Sequence, residues 1–240
     1  MGGPDFALSS YEFDVLWGQD RMPYPLAVPR IGRTPAERSV LAGEVRRALS
    51  DRGLVAEDQQ VDARLAALLR LLGDFRVAVD LVGDIGYPVR ALAATDGQSG
   101  VLAVLAGGEL WLTSVPPANL VPSIVGVLPG GVSPGSVPYQ RTTVLGDDAV
   151  AVVLGRDAVV LSRLPAICRA AGRFGVSTGA RGPLPDTVTW LDTETGPYLV
   201  AHEGTCLSIG PTGPTDVTRR ITDLLSTVDS RSAGTEITSR

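Results

Sequence analysis

Apolar residues along this chain recur first at helical spacing and then in short extended runs. Phe13, Leu16 and Trp17 share one helical face, and Ser9-Ser10-Tyr11-Glu12 precedes them with the S-x-x-E spacing of a capping box. The pattern predicts a short helix that stops near Gly18. Tyr24 to Pro29 is bracketed by prolines and reads as an extended segment, at a sheet edge if it joins a sheet. Thr34-Pro35-Ala36-Glu37 starts a second helix: Thr34 caps, Pro35 occupies the first position and Glu37 completes the box. Its expected buried stripe is Leu41, Val45, Ala48 and Leu49, and Gly53-Leu54 supplies a Schellman stop. A third helix, capped by Asp58, is expected to bury Val61, Leu65, Leu68, Leu69 and Leu72, end at Gly73, and form a hairpin with the second.

From Phe75 the period changes. Phe75–Val82, Val89–Thr95, Val101–Ala106 and Glu109–Val115 are β-branched or apolar runs, separated by turn signals at Asp96-Gly97 and Gly107-Gly108. They predict a four-stranded antiparallel meander. Pro116-Pro117 then opens a helix with the stripe Leu120, Ile124, Val127 and Leu128, with Pro122 in its first turn, where its missing N–H does least harm. Pro129–Pro138 is a glycine- and proline-rich linker. Asp147–Arg173 has roughly helical spacing (Val150, Val153, Leu154, Leu161, Leu164, Cys168), interrupted by Gly155 and Pro165, and reads as two or three short helices. A second meander follows over Phe174–Ser177, Thr187–Asp192, Tyr198–His202 and Thr205–Ile209, closed by a helix from Pro214 to Val228. The tail 229–240 is polar, lacks a stripe and is expected to be disordered.

The two meanders are versions of one module, residues 75–128 and 174–225. Phe75, Val77, Gly83, Val89, Leu92 and Gly97 match Phe174, Val176, Gly182, Val188, Leu191 and Gly196 at a constant offset of 99 residues. Past the turn the offset is 97, and Leu102, Leu112, Pro117, Leu120 and Ile124 match Leu199, Ile209, Pro214, Val217 and Ile221. This is an internal duplication, with too few copies for a solenoid. The expected fold is mixed α+β: a central, mostly antiparallel sheet built from two meander–helix halves related by a pseudo-twofold axis, with helical bundles on its flanks. Residues 1–228 are expected to form a single domain. A groove at the axis is a natural binding place.

A hydrophobic fraction of 44% with 20% charged residues suits a globular chain, and no apolar run reaches the roughly 18 residues of a membrane span. The N-terminus lacks a signal-peptide pattern, so a cytoplasmic location without membrane insertion is expected. Net charge is −5, and all 21 basic residues are arginines, scattered rather than clustered, which argues against a nucleic-acid partner. Cys168 and Cys206 have neither metal-ligand nor redox spacing and read as buried thiols.

The strongest hint of an enzyme is Gly131-Val132-Ser133-Pro134-Gly135, which fits G-x-S-x-G, with Asp192 and His202 following in hydrolase order. The residue after the nucleophile must lend its backbone N–H to the oxyanion, and Pro134 has none. Antiparallel meanders also lack the parallel sheet that raises such a serine. His202 is the only histidine and reads as a structural residue on a strand. Gly210-Pro211-Thr212-Gly213-Pro214 lacks a phosphate-loop Lys and is a strand-to-helix loop. Trp17, Trp111 and Trp190 are core or groove-wall residues. No catalytic residue, metal or cofactor is expected, and a serine hydrolase is kept only as a remote alternative.

Several motifs resemble the EspG family, cytosolic chaperones of actinobacterial type VII (ESX) secretion. They are Glu12-Phe13-Asp14-Val15-Leu16-Trp17, Tyr24-Pro25-Leu26, Gly32-Arg33-Thr34 with Glu37-Arg38, Arg52-Gly53-Leu54, Thr189-Trp190-Leu191-Asp192-Thr193 and Gly196-Pro197-Tyr198-Leu199-Val200. The resemblance implies no catalysis. It implies binding of the apolar tip of a PE–PPE heterodimer, which keeps that pair soluble and marks it for its own secretion system. The loop Gly83–Pro88 is brief beside the long substrate loop of relatives. The partner-binding residues to expect are Ile85, Tyr87, Trp190, Leu224 and Leu225. A homodimer is an open alternative, as is a non-catalytic adaptor with another partner.

Overall fold

The computed structural model describes residues 3–18, 21–56, 58–129, 168–179, 182–194, 196–203 and 206–233. Its centre is one antiparallel sheet of nine strands. In chain order the elements are β1 (Phe6–Ser9), α1 (Ser10–Trp17), α2 (Pro35–Asp51), α3 (Ala63–Gly73), β2 (Val77–Asp84), β3 (Pro88–Thr95), β4 (Gly100–Ala106) and β5 (Glu109–Val115). A 3₁₀ turn at Pro117–Asn119 leads into α4 (Leu120–Val125), and then come β6 (Cys168–Thr178), β7 (Gly182–Thr193), β8 (Gly196–Glu203), β9 (Cys206–Pro211) and α5 (Pro214–Ala233). The spatial order is β1-β5-β4-β3-β2-β6-β7-β8-β9. Each meander therefore runs outward from a central seam at which β2 meets β6 antiparallel, with Leu81 opposite Phe174 and Gly83 opposite Gly172.

Both local starts form as the residues dictate. Ser9 and Glu12 exchange side-chain and backbone bonds at the head of α1, and Thr34 and Glu37 do so at α2. At the end of α2, Leu54 N–H reaches Leu49 C=O and Gly53 N–H reaches Ser50 C=O, with Gly53 at φ 69°, a Schellman stop that only glycine adopts without strain.

The two faces of the sheet carry separate cores. On one, Val79, Leu81, Phe174, Val176, Val188 and Trp190 pack under Leu120 and Ile124 of α4 and Val217, Ile221 and Leu224 of α5. On the other, Ala78, Leu92, Ala94, Val101, Ala103 and Leu110 pack under Phe13 and Trp17 of α1, Leu26, and Leu65, Leu69 and Leu72 of α3. Strands β3 and β4 are thus covered on both sides and read as continuous apolar runs. In β7 the buried Val188 and Trp190 alternate with the half-buried Thr187, Thr189 and Leu191.

Several expectations need correction. Phe6–Ser9 is an edge strand on β5, too short to show a period of its own. Tyr24–Pro29 joins no strand; the segment is anchored by fully buried Leu26 and by Arg90, whose Nη1 donates to Ala27 C=O at 2.6 Å. α2 buries Ala42 and Leu49 but exposes Leu41 and Ala48, and its main helix contact is with α1, so the expected α2–α3 hairpin does not form. Asp62, not Asp58, caps α3 by accepting from Arg64 N–H and Leu65 N–H, because Val55 and Val61 first pair as an extended bridge. Residues 168–173 are strand rather than helix, since pairing with β7, joined from Ala171 onward by pairing with β2, overrides weak local preference. Cys168 is half-exposed rather than buried. α5 runs past Val228 to Ala233, so the first part of the expected disordered tail is helical. Gly83 lies inside β2 whereas Gly182 opens β7, so the first-strand matches of the duplication are not structural equivalents. Further on, Leu102 and Leu199, Leu120 and Val217, and Ile124 and Ile221 pair up within one core, on the same face of the sheet. The linker 130–138, the expected helices over 147–167 and Ser133 lie outside the described residues.

The cap reassignment has a measurable consequence. Asp62→Ala should lower stability by about 1 kcal/mol, whereas Asp58→Ala should stay within roughly 0.5 kcal/mol of the parent, as read by urea midpoints. Equal effects would contradict the assignment.

Candidate docking surfaces

Four of the five candidate residues belong to one core. Trp190, only 4% exposed, and Leu224 are buried in the layer under α4 and α5, and Ile85 and Leu225 pack against its margin. Tyr87 alone is well exposed, at 53%. It sits in the tight β2–β3 turn, where Ile85 N–H donates to Tyr87 C=O and Asp84 Oδ1 accepts from Gly86 N–H. Periodicity marks a residue as apolar and facing inward; it does not separate a groove floor from an outer contact.

Trp190 does reach an opening. Residues of α4 and α5 line an apolar groove of about 510 Å³, with Trp190 among its lining and walls that include Pro122, Val125, Leu128, Pro197, Pro214 and Thr218. Prolines on both walls remove backbone donors, so an occupant meets surface with little to hydrogen-bond. Leu224 lies two helical turns along α5 from Val217 and is held in the core beside the groove rather than in its wall. A second recess, about 570 Å³, lies at the end of the sheet near Tyr87, between Ser9–Tyr11, Val28-Pro29, Pro88 and the Gly107-Gly108 turn.

The charged residues of the first motifs are structural. Asp14, buried, accepts from Ile31 N–H at 2.9 Å and from Arg38 Nη1 at 2.7 Å. Arg52 Nη1 donates to Glu12 Oε1, and its Nη2 to Ala7 C=O, each at 2.6 Å. Burial pushes the Glu12 carboxyl up, but Ser9 N–H and the Arg52 guanidinium outweigh it and hold the group below its ordinary value. These residues clamp α1 to α2 and to β1. Burial, together with nearby Asp192, pushes the Cys168 thiol up, which makes it a poor nucleophile. Among the described residues no cluster of His, Cys, Asp or Glu could hold a metal ion, and no helix is long and apolar enough to cross a membrane. The His202 side chain and Ser133 lie outside what is described.

Comparison with known proteins agrees with this architecture. The EspG family model matches residues 9–223. The fold is similar to a solved chain described as the Mycobacterium tuberculosis type VII secretion system chaperone EspG5 in complex with the PE25-PPE41 dimer. The TM-score is 0.65 at 15% identity, over 89% of this chain and 92% of that one. Among curated proteins no sequence match was found.

Proposed function

The chain belongs to the EspG family, and from that premise we propose that it is a substrate-specific chaperone of an ESX type VII secretion system. On this reading it works in the cytosol as one domain, makes and breaks no covalent bond, and covers the apolar tip of a PE–PPE heterodimer until export. The observation that carries the proposal is the family match across nearly the whole chain; the solved EspG5 chain of similar fold, itself described with a PE–PPE dimer, supports it. Physically, a helical tip with exposed apolar side chains aggregates unless its surface is removed from water, and a groove that binds it lowers its free concentration. The groove between α4 and α5, with Trp190 as its floor, and the exposed Tyr87 are the surfaces proposed to receive it.

Co-expression with a PE–PPE pair from the same genome should yield one soluble complex of all three chains, and failure with every such pair would sink the chaperone reading. Thr218 is half-exposed on the groove wall, so Thr218→Arg places a charge in an apolar site without touching the core. It should weaken the complex by about tenfold or more while leaving the fold intact. An unaffected complex would move the site elsewhere and leave the family function standing.

A further inference from the structure

The two outer strands of the sheet differ at their free sides. β1 is closed there: Ala7 C=O accepts from Arg52 Nη2 at 2.6 Å, and Ser9 N–H donates to Glu12 Oε2 at 2.7 Å. β9 carries no charged residue along Cys206–Pro211, and no described residue pairs with its outer side. The internal duplication indicates what such an edge takes. In the first half β5 holds β1 as an antiparallel strand, with Leu8 opposite Leu110 and Phe6 opposite Leu112. The offset of 97 residues carries Leu110 and Leu112 to Leu207 and Ile209 on β9. The phase of the backbone agrees. Thr212 N–H donates to Pro197 C=O, and bonded pairs alternate along an antiparallel ladder, so Gly210 and Ser208 also bond toward β8. The main-chain groups of Leu207 and Ile209 therefore point outward. Ser114 of β5 donates its N–H outward to Asp5; at the matching place β9 has Pro211, which has no N–H to offer, so the open part of the edge is short.

We propose that β9 pairs with β9 of a second copy, antiparallel about a twofold axis at Ser208. In that register Leu207 of each copy faces Ile209 of the other, and their outward N–H and C=O groups satisfy one another reciprocally. Ser208 meets its own counterpart across the axis as a non-bonded pair. α5 packs over β6 and β7, inward of the edge. Among the described residues β9 is the open edge that a second copy offers, because Arg52 and Glu12 close β1. The contact therefore closes as a dimer and does not propagate as a fibre. One short strand pair buries less than a standard interface, so the dimer is weak and concentration-dependent.

Sedimentation of the full chain across the micromolar range should show a reversible monomer–dimer equilibrium with no larger species. Leu207→Pro removes an outward donor from each copy and no bond to β8, so it should weaken the dimer about tenfold while circular dichroism keeps the parent's strand signal. A second variant does not depend on tolerance of proline. With Cys168 and Cys206 both changed to Ser, Ser208→Cys should form a disulfide-linked dimer on mild oxidation, because a non-bonded antiparallel pair brings its Cα atoms to about 4.5 Å. A chain that stays monomeric overturns the proposal, as does a Ser208→Cys chain that fails to cross-link. Leu207 and Ile209 amides protected from hydrogen exchange in a monomer would show the edge filled from within the chain, and would overturn it too. So would Leu207→Pro abolishing PE–PPE capture while self-association persists, which would assign the edge to the partner.

Discussion

Asp80→Asn is expected to stabilise the protein at pH 7 by about 2 kcal/mol and to flatten its pH dependence between about pH 6 and pH 4. Asp80 lies on β2 at the central seam, 3% exposed, among Ala78, Leu92 and the backbone of Gly175. A Cβ at position 175 would stand 2.7 Å from Asp80 Oδ1, so the glycine makes room for the carboxyl. Burial raises its pKa from 3.8 to about 6; the Arg173 guanidinium offsets only part of that rise. Arg173 itself reaches outward and donates to Tyr24 Oη at 2.7 Å. The folded state therefore holds this proton more tightly than the unfolded chain. The group's penalty is fully developed above pH 6 and lifts as pH falls toward 3.8, so its contribution makes the parent more stable on mild acidification. Asparagine keeps the shape without the charge, although its amide still has to be desolvated. Glu12 works the other way: its carboxyl is lowered, so the stability it provides is lost only below its unfolded value of 4.5. Urea midpoints at pH 7, pH 5 and pH 4 test both statements. An Asp80→Asn protein that is less stable at pH 7, or that keeps the parent's pH slope, would show that the carboxylate is better satisfied than its burial implies.

The second large effect is expected at Phe174, where truncation to Ala should destabilise the fold by about 4 kcal/mol. Phe174 is 1% exposed, pairs with Leu81 across the seam and with Val188 on β7, and lies in the core under α4 and α5. Removing it opens a cavity between both halves of the sheet. Its sequence counterpart, Phe75, is only partly buried and packs on the opposite layer, so Phe75→Ala should cost less than half as much. Denaturant unfolding of the two variants is a direct comparison. A loss below about 1 kcal/mol at Phe174 would mean that neighbouring side chains collapse into the space.

That contrast shows where the residues spoke clearly and where they did not. Capping boxes, the Schellman glycine and the turns at Gly97 and Gly107 are local chemistry, and each was legible because a backbone need selects one residue type. The first meander was legible because strands covered on both faces become long apolar runs. The same continuity blurred register: among consecutive valines and leucines, an offset of 99 pairs Val77 with Val176 although their strands begin at different places. β6 was misread over 168–173 because Ala170, Ala171 and Gly172 have little strand preference of their own. Leu81 Cδ1 and Leu128 Cδ2 lie 2.9 and 3.2 Å from where a Gly172 Cβ would be, so the seam itself demands small residues. The proposed docking surface was the least legible part: the α4–α5 groove is lined by residues from two helices far apart in the chain, which no spacing records.

The strand order also bears on how quickly this chain can find its fold. Within each meander every pairing joins neighbours in sequence, so those hairpins close short loops. Among the described residues only two strand pairings bridge about a hundred residues, Phe6 with Leu112 at one edge and Val77 with Thr178 at the seam. These closures carry most of the entropic barrier to assembly, and the seam joins the two meanders. Until it zips, each half is a partly built sheet with a bare apolar margin, so a nascent chain is most vulnerable to mispairing while Phe174 and its neighbours await β2.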